Sequence, residues 1–285
     1  MKILVLGVTG MLGNAVFRVF AQEAQYETWG TLRNRSGLKF FVEADQARLM
    51  PGVDVLDQDT LIAVLGKVRP DVVINCVGLI KQLADAKDPL TALPINAMLP
   101  HRLSRLCALA GARLIHVSTD CVFSGRKGGY LERDLSDAED LYGKSKFIGE
   151  LNDQPQAITL RTSIIGHELS SNYALIDWFL SQQGAVKGFS RAIFSGLPTV
   201  ELARVMKDFV VPHPELSGLY HVAAEPIAKL DLLQLVAAQY RKTIEIQPDD
   251  TLVIDRSLNG SRFSAATGYL APTWPELIRR MHEQR

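Results

Sequence analysis

A strand-like apolar run at the start of the chain leads directly into a glycine-rich turn, and this feature constrains the fold most. Residues 3–6 (Ile-Leu-Val-Leu) are typical of a parallel strand that is covered on both faces. Gly7, Gly10 and Gly13 follow in a G-x-x-G-x-x-G spacing, before apolar residues recur at helical spacing. Strand, glycine turn and helix in this order indicate the first unit of a doubly wound sheet that binds a dinucleotide.

The glycines of this turn have separate expected roles. Gly7 permits the tight turn, Gly10 lets the backbone approach a pyrophosphate, and Gly13 lets the helix pack closely on the strand. Phosphates would accept hydrogen bonds from the exposed N–H groups at the start of the helix. We therefore predict a phosphate site for the cofactor at Gly7, Thr9, Gly10, Met11, Leu12 and Gly13.

Strand-like runs alternate with helical periodicity along the chain, which predicts a parallel sheet covered on both faces. The expected strands lie near residues 2–6, 26–31, 53–55, 71–75, 113–117, 157–161 and 218–222. The expected helices lie near residues 13–24, 59–67, 97–110, 141–152 and 199–211. Thr273 and Glu276 have the spacing of a capping box that opens a final helix. The predicted fold class is α/β, a Rossmann-type doubly wound parallel sheet.

Composition excludes several classes of protein. Lys plus Arg total 31 and Asp plus Glu total 31, so no global field favours nucleic acid or an anionic membrane. The three cysteines form no CxxC pair, and their odd number fits a reducing compartment. No apolar run reaches the ~20 residues of a membrane span, and no metal-binding cluster is visible. These features predict a cytoplasmic protein that binds neither nucleic acid nor membrane.

A tyrosine and a lysine one helical turn apart carry the strongest chemical signal. Tyr142 and Lys146 are four residues apart, so the phenol and the ammonium would project from the same helix face. An adjacent cation lowers the pKa of a phenol from about 10 by roughly 1 to 3 units, which suits proton exchange with a carbonyl or an alcohol. Residues 118–120 (Ser-Thr-Asp) lie upstream and supply further hydroxyl groups.

The glycine turn, residues 118–120 and residues 142–146 together resemble the extended short-chain dehydrogenase/reductase superfamily. Within it, the chain looks most like the dTDP-4-dehydrorhamnose reductase family of nucleotide-sugar 4-ketoreductases. The resemblance extends over nearly the whole length and includes residues 69–75, 116–123, 149–150, 161–163, 196–199, 255–259 and 262–263. It implies a Rossmann domain at residues 1–165, completed by about 195–222, and a smaller C-terminal substrate lobe at 166–194 and 223–285.

The resemblance also implies roles for individual residues. Tyr142 would protonate the 4-keto oxygen, Lys146 would lower the pKa of Tyr142 and hold the nicotinamide ribose, and Thr119 would donate a hydrogen bond to the same oxygen. The remaining cofactor contacts would come from Asp54 and Val55 at the adenine, and from Cys76, Val77 and Gly78 at the nicotinamide ribose. The substrate contacts would come from Lys81, Asp120, Cys121 and Ser163.

Two positions leave alternatives open. Cys121 stands where the rhamnose-pathway reductases usually have an aromatic residue, so it marks either a different sugar or nucleotide, or a small buried filler. Asn96 matches a family asparagine that braces the backbone of the active site, but the same residue could cap a helix.

The segment after the second strand predicts the cofactor. NAD-binding chains place a carboxylate there for the ribose 2′-hydroxyl, whereas an arginine accommodates a 2′-phosphate. This chain has Arg33 and Arg35 and no carboxylate, and guanidinium groups match phosphate geometry. We therefore expect NADPH, with NADH as the alternative and solvated loop arginines as the competing explanation.

Two other functions share these features. A nucleotide-sugar epimerase would use the same fold and Tyr-Lys pair while its NAD stays bound. A non-catalytic regulatory subunit would bind the dinucleotide without turning it over, as is thought of the beta subunit of methionine adenosyltransferase, a relative of these reductases. Retention of Thr119, Tyr142 and Lys146 favours an enzyme. The expected partner is a nucleotide sugar, and a homodimer is left open.

Overall fold

The protein is described by a computed structural model over residues 1–79 and 87–285. Its strands are β1 (Lys2–Leu6), β2 (Glu27–Leu32), β3 (Leu49–Pro51), β4 (Val72–Asn75), β5 (Arg113–Thr119), β6 (Ala157–Thr162), β7 (Ile164–Ile165), β8 (Ala185–Phe189), β9 (Ala192–Phe194), β10 (Leu197–Pro198), β11 (Gly218–His221), β12 (Ile227–Ala228), β13 (Glu245–Asp249) and β14 (Ile254–Asp255).

The α-helices alternate with these strands in the first two thirds of the chain. They are α1 (Met11–Ala21), α2 (Glu43–Gln46), α3 (Gln58–Val68), α4 (Pro89–Ala92), α5 (Leu99–Ala110), α6 (Leu141–Ile148), α7 (Leu175–Ser181), α8 (Thr199–Val205), α9 (Lys229–Gln239), α10 (Ser261–Thr267) and α11 (Trp274–Glu283). Short 3-10 helices span Arg35–Phe40 and Asp120–Val122, and π-helical segments span Leu93–Met98 and Met206–Val210.

The main sheet has seven strands in the order β11-β6-β5-β4-β1-β2-β3, and all its pairings are parallel. Chain order reverses between β1 and β4, because β2 and β3 lie on one side of β1 and the later strands lie on the other. In such a sheet the ligand crevice lies beyond the carboxyl ends of the strands at this reversal. The doubly wound prediction is therefore confirmed, and the fold locates the crevice.

Both faces of the sheet are covered. Along β1, Ile3 and Val5 belong to a core shared with α1 and α8, whereas Leu4 and Leu6 belong to a second core shared with α3 and α5. Side chains alternate between faces along a strand, so an uninterrupted apolar run is what a doubly covered strand requires.

The third predicted strand is wrong in position. The strand lies at Leu49–Pro51, where Leu49 pairs with Gly30 of β2, and residues 53–55 form a turn. Gly52 has a φ of 83°, which ends the extended backbone. Asp54 then accepts a hydrogen bond from the backbone N–H of Leu56 at 2.9 Å, as aspartate commonly does in turns.

Helix boundaries also differ from the sequence predictions. The helix that carries Tyr142 ends at Ile148, four residues earlier than expected. Gly149 follows it and lies against the carbonyl oxygen of Asn96, where a Cβ would be 2.0 Å from that oxygen. The final helix begins after Thr273 as predicted, but no capping hydrogen bond from the Thr273 side chain forms. Glu276 instead binds Arg279 and Arg280.

After β6, smaller sheets pair β10 with β7, β13 with β8, and β9 with both β12 and β14. These segments fall within the part of the chain for which a substrate lobe was predicted, and the division into two domains remains a prediction. Within residues 1–79 and 87–285, no helix has both the length and the apolar character needed to cross a membrane.

Candidate active site

The glycine turn joins β1 to α1 in the geometry that its sequence predicted. Gly7 has a φ of 81°, and its N–H donates to the Thr31 carbonyl oxygen at 3.2 Å. A Cβ added at Gly13 would lie only 2.1 Å from the Gly7 carbonyl oxygen, so helix and strand pack directly at this point. Gly10 is the N-cap of α1, and a Cβ there would meet only the Gly7 oxygen, at 3.4 Å. The backbone at the start of α1 can therefore be approached closely by a phosphate.

Replacing Gly13 by alanine should destabilise the protein. Overpacking typically costs about 1–3 kcal/mol, and the backbone contact at Gly13 puts this variant at the upper end of that range. Gly66 is the matched control, because it is exposed in α3 and an added Cβ would meet nothing within 4 Å. Gly66→Ala should stabilise by roughly 0.5–1 kcal/mol. Urea unfolding of both variants tests the pair, and similar effects of the two substitutions would contradict the packing argument.

The predicted 2′-phosphate residues lie beside the glycine turn. Arg33 directly follows β2, Arg35 begins the 3-10 helix, and both are exposed. Gly37 brings this helix against Thr9, since a Cβ at Gly37 would lie 2.7 Å from the Thr9 Cγ2. The second turn thus packs on the first.

The other predicted cofactor residues follow β3 and β4. Asp54 and Val55 lie in the turn beyond β3, and Cys76, Val77 and Gly78 continue directly from β4. Burial raises the pKa of the Cys76 thiol to about 12, so this thiol is not a nucleophile at neutral pH. Val77 lies over the glycine turn, because a Cβ at Gly7 would be 2.8 Å from the Val77 Cγ2.

The three predicted catalytic residues come together at the carboxyl edge of the sheet. Thr119 is the last residue of β5, while Tyr142 and Lys146 lie one turn apart on α6. Lys146 is buried and its Nζ donates to the Val117 carbonyl oxygen at 2.8 Å. A Cβ at Gly78 would lie 3.8 Å from the same Nζ, so the ammonium is next to the segment predicted for the nicotinamide ribose.

The electrostatics of Tyr142 differ from the expectation. The prediction that Lys146 lowers the pKa of Tyr142 is wrong for this arrangement. Burial is the largest cause and raises that pKa. Cys121 and Asp120 raise it further, and a hydrogen bond shared with Thr119 acts in the opposite direction. Removing a phenolate from water costs more than the nearby groups return. Tyr142 is therefore protonated at neutral pH in this arrangement.

Lys146 is shifted in the direction expected for a buried ammonium. Burial lowers its pKa from 10.5 to about 8, and the carboxylate of Glu150 partly offsets the effect. His116, on β5, stays neutral because burial and the charge of Lys146 hold its pKa well below the usual range. The amine is thus mostly charged near pH 7 and loses its charge in mildly alkaline solution.

Thr119 is held by its neighbours. Its hydroxyl donates to the Asp120 Oδ1 at 3.1 Å and accepts from the Cys121 N–H at 3.1 Å. Asp120 is buried, and burial raises the pKa of its carboxyl while Arg256 and Lys229 act to lower it. A carbonyl substrate would have to compete with Asp120 for the Thr119 proton.

The predicted substrate residues are only partly grouped. Asp120 and Cys121 adjoin Thr119 in the 3-10 helix, and a Cβ at Gly143 would lie 2.2 Å from the Cys121 carbonyl oxygen, which places Cys121 against the start of α6. Ser163 lies between β6 and β7 and accepts a hydrogen bond from Leu197 through its carbonyl oxygen. Lys81 lies outside the described residues.

Asn96 braces the site and does not cap a helix. It is buried within the π-helical segment before α5. Its Oδ1 accepts from the Leu79 N–H at 3.0 Å, and its Nδ2 donates to the Ser145 Oγ at 3.2 Å. The loop after β4 is thereby tied to the helix that carries Tyr142 and Lys146, and a π-helical turn is a common feature of functional sites.

A buried ion pair behind the site was not foreseen from the sequence. Glu150 accepts hydrogen bonds from the Arg161 Nε at 2.8 Å and from the Ser118 Oγ at 2.6 Å. Arg161 is 1% exposed in β6 and also donates to the His221 Nε2 at 2.9 Å. The available signal was an arginine within an otherwise uncharged strand, since a buried arginine needs a partner.

The fold and the Tyr142–Lys146 pair define a Rossmann protein of the short-chain dehydrogenase/reductase type. A family model described as "RmlD substrate binding domain" matches residues 1–266, and the chain belongs to this family. The resemblance predicted from the sequence is thus confirmed.

The similar proteins include both an adenosyltransferase subunit and a reductase. Methionine adenosyltransferase 2 subunit beta of Danio rerio is 29% identical over 249 residues, which cover 83% of this chain and 73% of that protein. The dTDP-4-dehydrorhamnose reductase of Aggregatibacter actinomycetemcomitans is 25% identical over 234 residues, which cover 79% of this chain and 74% of the relative. A crystal structure of dTDP-4-dehydrorhamnose reductase from Bacillus anthracis in complex with NADP has the same fold, with a TM-score of 0.80 at 18% identity. The superposition covers 100% of this chain and 99% of the reductase chain.

Proposed function

We propose that the protein is an NADPH-dependent reductase of the 4-keto group of a nucleotide-linked deoxy sugar. The observation that carries the proposal is the grouping of Thr119, Tyr142 and Lys146 at the carboxyl edge of the sheet. Reduction of a ketone needs a proton donor, and a positioned phenol hydroxyl can supply the proton. The reductases among the relatives support the same function.

Residues of this chain have assigned roles in the proposed reaction. Tyr142 donates its proton to the keto oxygen, and Thr119 stabilises the negative charge that develops there once its hydroxyl turns from Asp120. Lys146 holds the nicotinamide ribose with its ammonium group. NADPH, when bound, would supply the hydride. The glycine turn, with little side-chain volume above its backbone, fits the pyrophosphate of that cofactor.

NADPH is the proposed cofactor because Arg33 and Arg35 are exposed beside the glycine turn. Asp54, Val55, Cys76, Val77 and Gly78 would complete its site, at the carboxyl ends of β3 and β4. The NADP complex of the Bacillus anthracis reductase, which shares the fold, supports this assignment.

Arg33→Ala should weaken NADPH binding without affecting NADH. Loss of one charge-assisted contact to a phosphate costs about 1.5–3 kcal/mol, or roughly 10- to 100-fold in affinity. Calorimetric titration with both cofactors measures the difference, and NADH serves as the internal control because it has no 2′-phosphate. A variant that keeps its preference for NADPH would show that Arg33 does not contact that group.

The sugar would bind between the catalytic residues and the segments that follow β6. Asp120, Cys121 and Ser163 are proposed to contact it, together with Lys81 and residues from 166–194 and 223–285, the proposed substrate lobe. An enzyme of nucleotide-sugar synthesis would act in the cytoplasm. Steady-state assays with dTDP-, UDP- and GDP-linked 4-keto-6-deoxyhexoses test the proposal, with NADPH consumption equal to product formation as the expected result.

A regulatory subunit is the second candidate, and the observation that favours it is the match to a methionine adenosyltransferase subunit. Tight NADPH binding together with inertness toward every nucleotide sugar would support this candidate. Mass-neutral conversion of a nucleotide sugar without net use of cofactor would instead support an NAD-dependent epimerase.

A further inference from the structure

The segment after β4 is anchored by a side chain at the end of that strand. Asn75 is the last residue of β4 and is 1% exposed. Its Oδ1 accepts a hydrogen bond from the Val77 N–H at 3.1 Å. Residues 76–78 are those proposed for the nicotinamide ribose, so the orientation of one buried amide helps to fix the backbone of that segment.

His116 contacts the other end of the same amide. Asn75 and His116 are register partners on β4 and β5, and the Asn75 Nδ2 lies 3.2 Å from the His116 Nδ1. Only the oxygen of the amide can accept a hydrogen bond from the Val77 N–H, so the amide nitrogen must face the histidine. Because that nitrogen is a donor, the His116 Nδ1 must be the unprotonated nitrogen of the ring.

The described residues give the ring no other hydrogen bond. His116 is 1% exposed, and within residues 1–79 and 87–285 its Nε2 has no hydrogen-bond partner. With Nδ1 as the acceptor, the proton of the neutral ring is on this Nε2. A buried and unpaired N–H group costs free energy that an apolar side chain would not cost. The contact with the Asn75 amide is therefore what histidine supplies at this position and an apolar residue would not.

We propose that His116 is a positioning residue that holds the Asn75 amide, and through it the backbone of residues 76–78, in the geometry that binds the nicotinamide ribose. The inference rests on the proposed role of residues 76–78 at the cofactor. Without the acceptor of His116, the Asn75 NH₂ group would be buried and unpaired, which favours turning the amide oxygen away from the Val77 N–H. The segment would then populate the binding geometry less, and the apparent affinity would fall in the same proportion.

The tautomer of His116 in the wild-type protein is the first test. Long-range nitrogen–proton NMR correlations of the imidazole distinguish a protonated from an unprotonated Nδ1, and the unprotonated form is expected. A proton on Nδ1 would overturn the inference, because the Asn75 oxygen would then have to face the ring and could not accept from the Val77 N–H. This measurement needs neither cofactor nor substrate, and it decides the inference even where a variant fails to fold.

Cofactor affinity is the second test. His116→Leu removes the acceptor and should weaken NADPH binding about 3- to 10-fold, the usual worth of one hydrogen bond. The affinity for adenosine 2′,5′-bisphosphate, which lacks the nicotinamide half, should stay at the wild-type value. His116→Asn restores an acceptor oxygen near the position of Nδ1 and should recover most of the NADPH affinity. Calorimetric titration measures both ligands.

His213→Leu is the matched control for the leucine substitution. His213 precedes β11 and thus lies at the opposite edge of the sheet from residues 76–78. Its variant should bind both ligands as the wild type does.

Equal losses of affinity for the two ligands in His116→Leu would indicate general damage to the fold, and that result overturns the inference. Unchanged NADPH affinity also overturns it, as does a His116→Asn protein that binds as weakly as His116→Leu. None of these measurements uses a nucleotide sugar. Inertness toward every sugar would therefore count against the proposed reaction and not against the role of His116, whereas a wild-type protein that binds no NADPH would overturn both.

Discussion

Tyr142→Phe should lose about 10²- to 10⁴-fold in the rate of hydride transfer while NADPH affinity stays near that of the wild type. The substitution removes the hydroxyl that would donate the proton and keeps the ring in its place on α6. The phenol is protonated at neutral pH, so the hydroxyl is present as a donor. Stopped-flow absorbance of the reduced nicotinamide measures the rate with saturating substrate.

Tyr26→Phe is the matched control for this substitution. Tyr26 precedes β2 and thus lies at the opposite edge of the sheet from the catalytic residues. Its variant should transfer hydride at the wild-type rate. A Tyr142→Phe protein that did the same would remove Tyr142 from the mechanism.

Arg161→Met should destabilise the protein by about 3–5 kcal/mol, because it leaves the buried carboxylate of Glu150 without its partner. The double variant Glu150→Gln/Arg161→Met should recover much of that loss, since it removes both charges. Urea unfolding of the single and double variants gives the coupling between the two residues.

Arg126→Met provides the comparison with an exposed ion pair. Arg126 and Glu139 have side chains that are 76% and 70% exposed, so the loss of their contact should change stability little. Equal effects of Arg126→Met and Arg161→Met would contradict the account of the buried network.

The sequence predicted those parts of the fold that depend on local pattern. The apolar run of residues 3–6 and the glycine turn predicted β1 and α1, and four-residue spacing placed Tyr142 and Lys146 on one helix face. The strand at Leu49–Pro51 was misplaced because its three residues show no period, while the alternation of Val53, Asp54 and Val55 looked like a strand.

Non-local contacts explain what the sequence could not predict in the site. The ion pair between Glu150 and Arg161, and the hydrogen bond from Arg161 to His221, join residues far apart in the chain. The raised pKa of Tyr142 depends on burial by surrounding segments, whereas helical spacing alone suggested that Lys146 would lower it. The motif at residues 255–259 also has a structural use, because the Ser257 Oγ accepts from the Gly129 N–H at 2.9 Å.

In the proposed reaction, hydride passes from a nicotinamide cofactor to C4 of a nucleotide-linked keto sugar. NADPH that carries deuterium at the transferable C4 position, supplied with dTDP-, UDP- or GDP-linked 4-keto-6-deoxyhexose, tests this transfer directly. We expect a product with one deuterium on the sugar C4, in an amount equal to the NADP⁺ formed. A sugar product without deuterium, or full recovery of unreacted NADPH with every substrate, would contradict it.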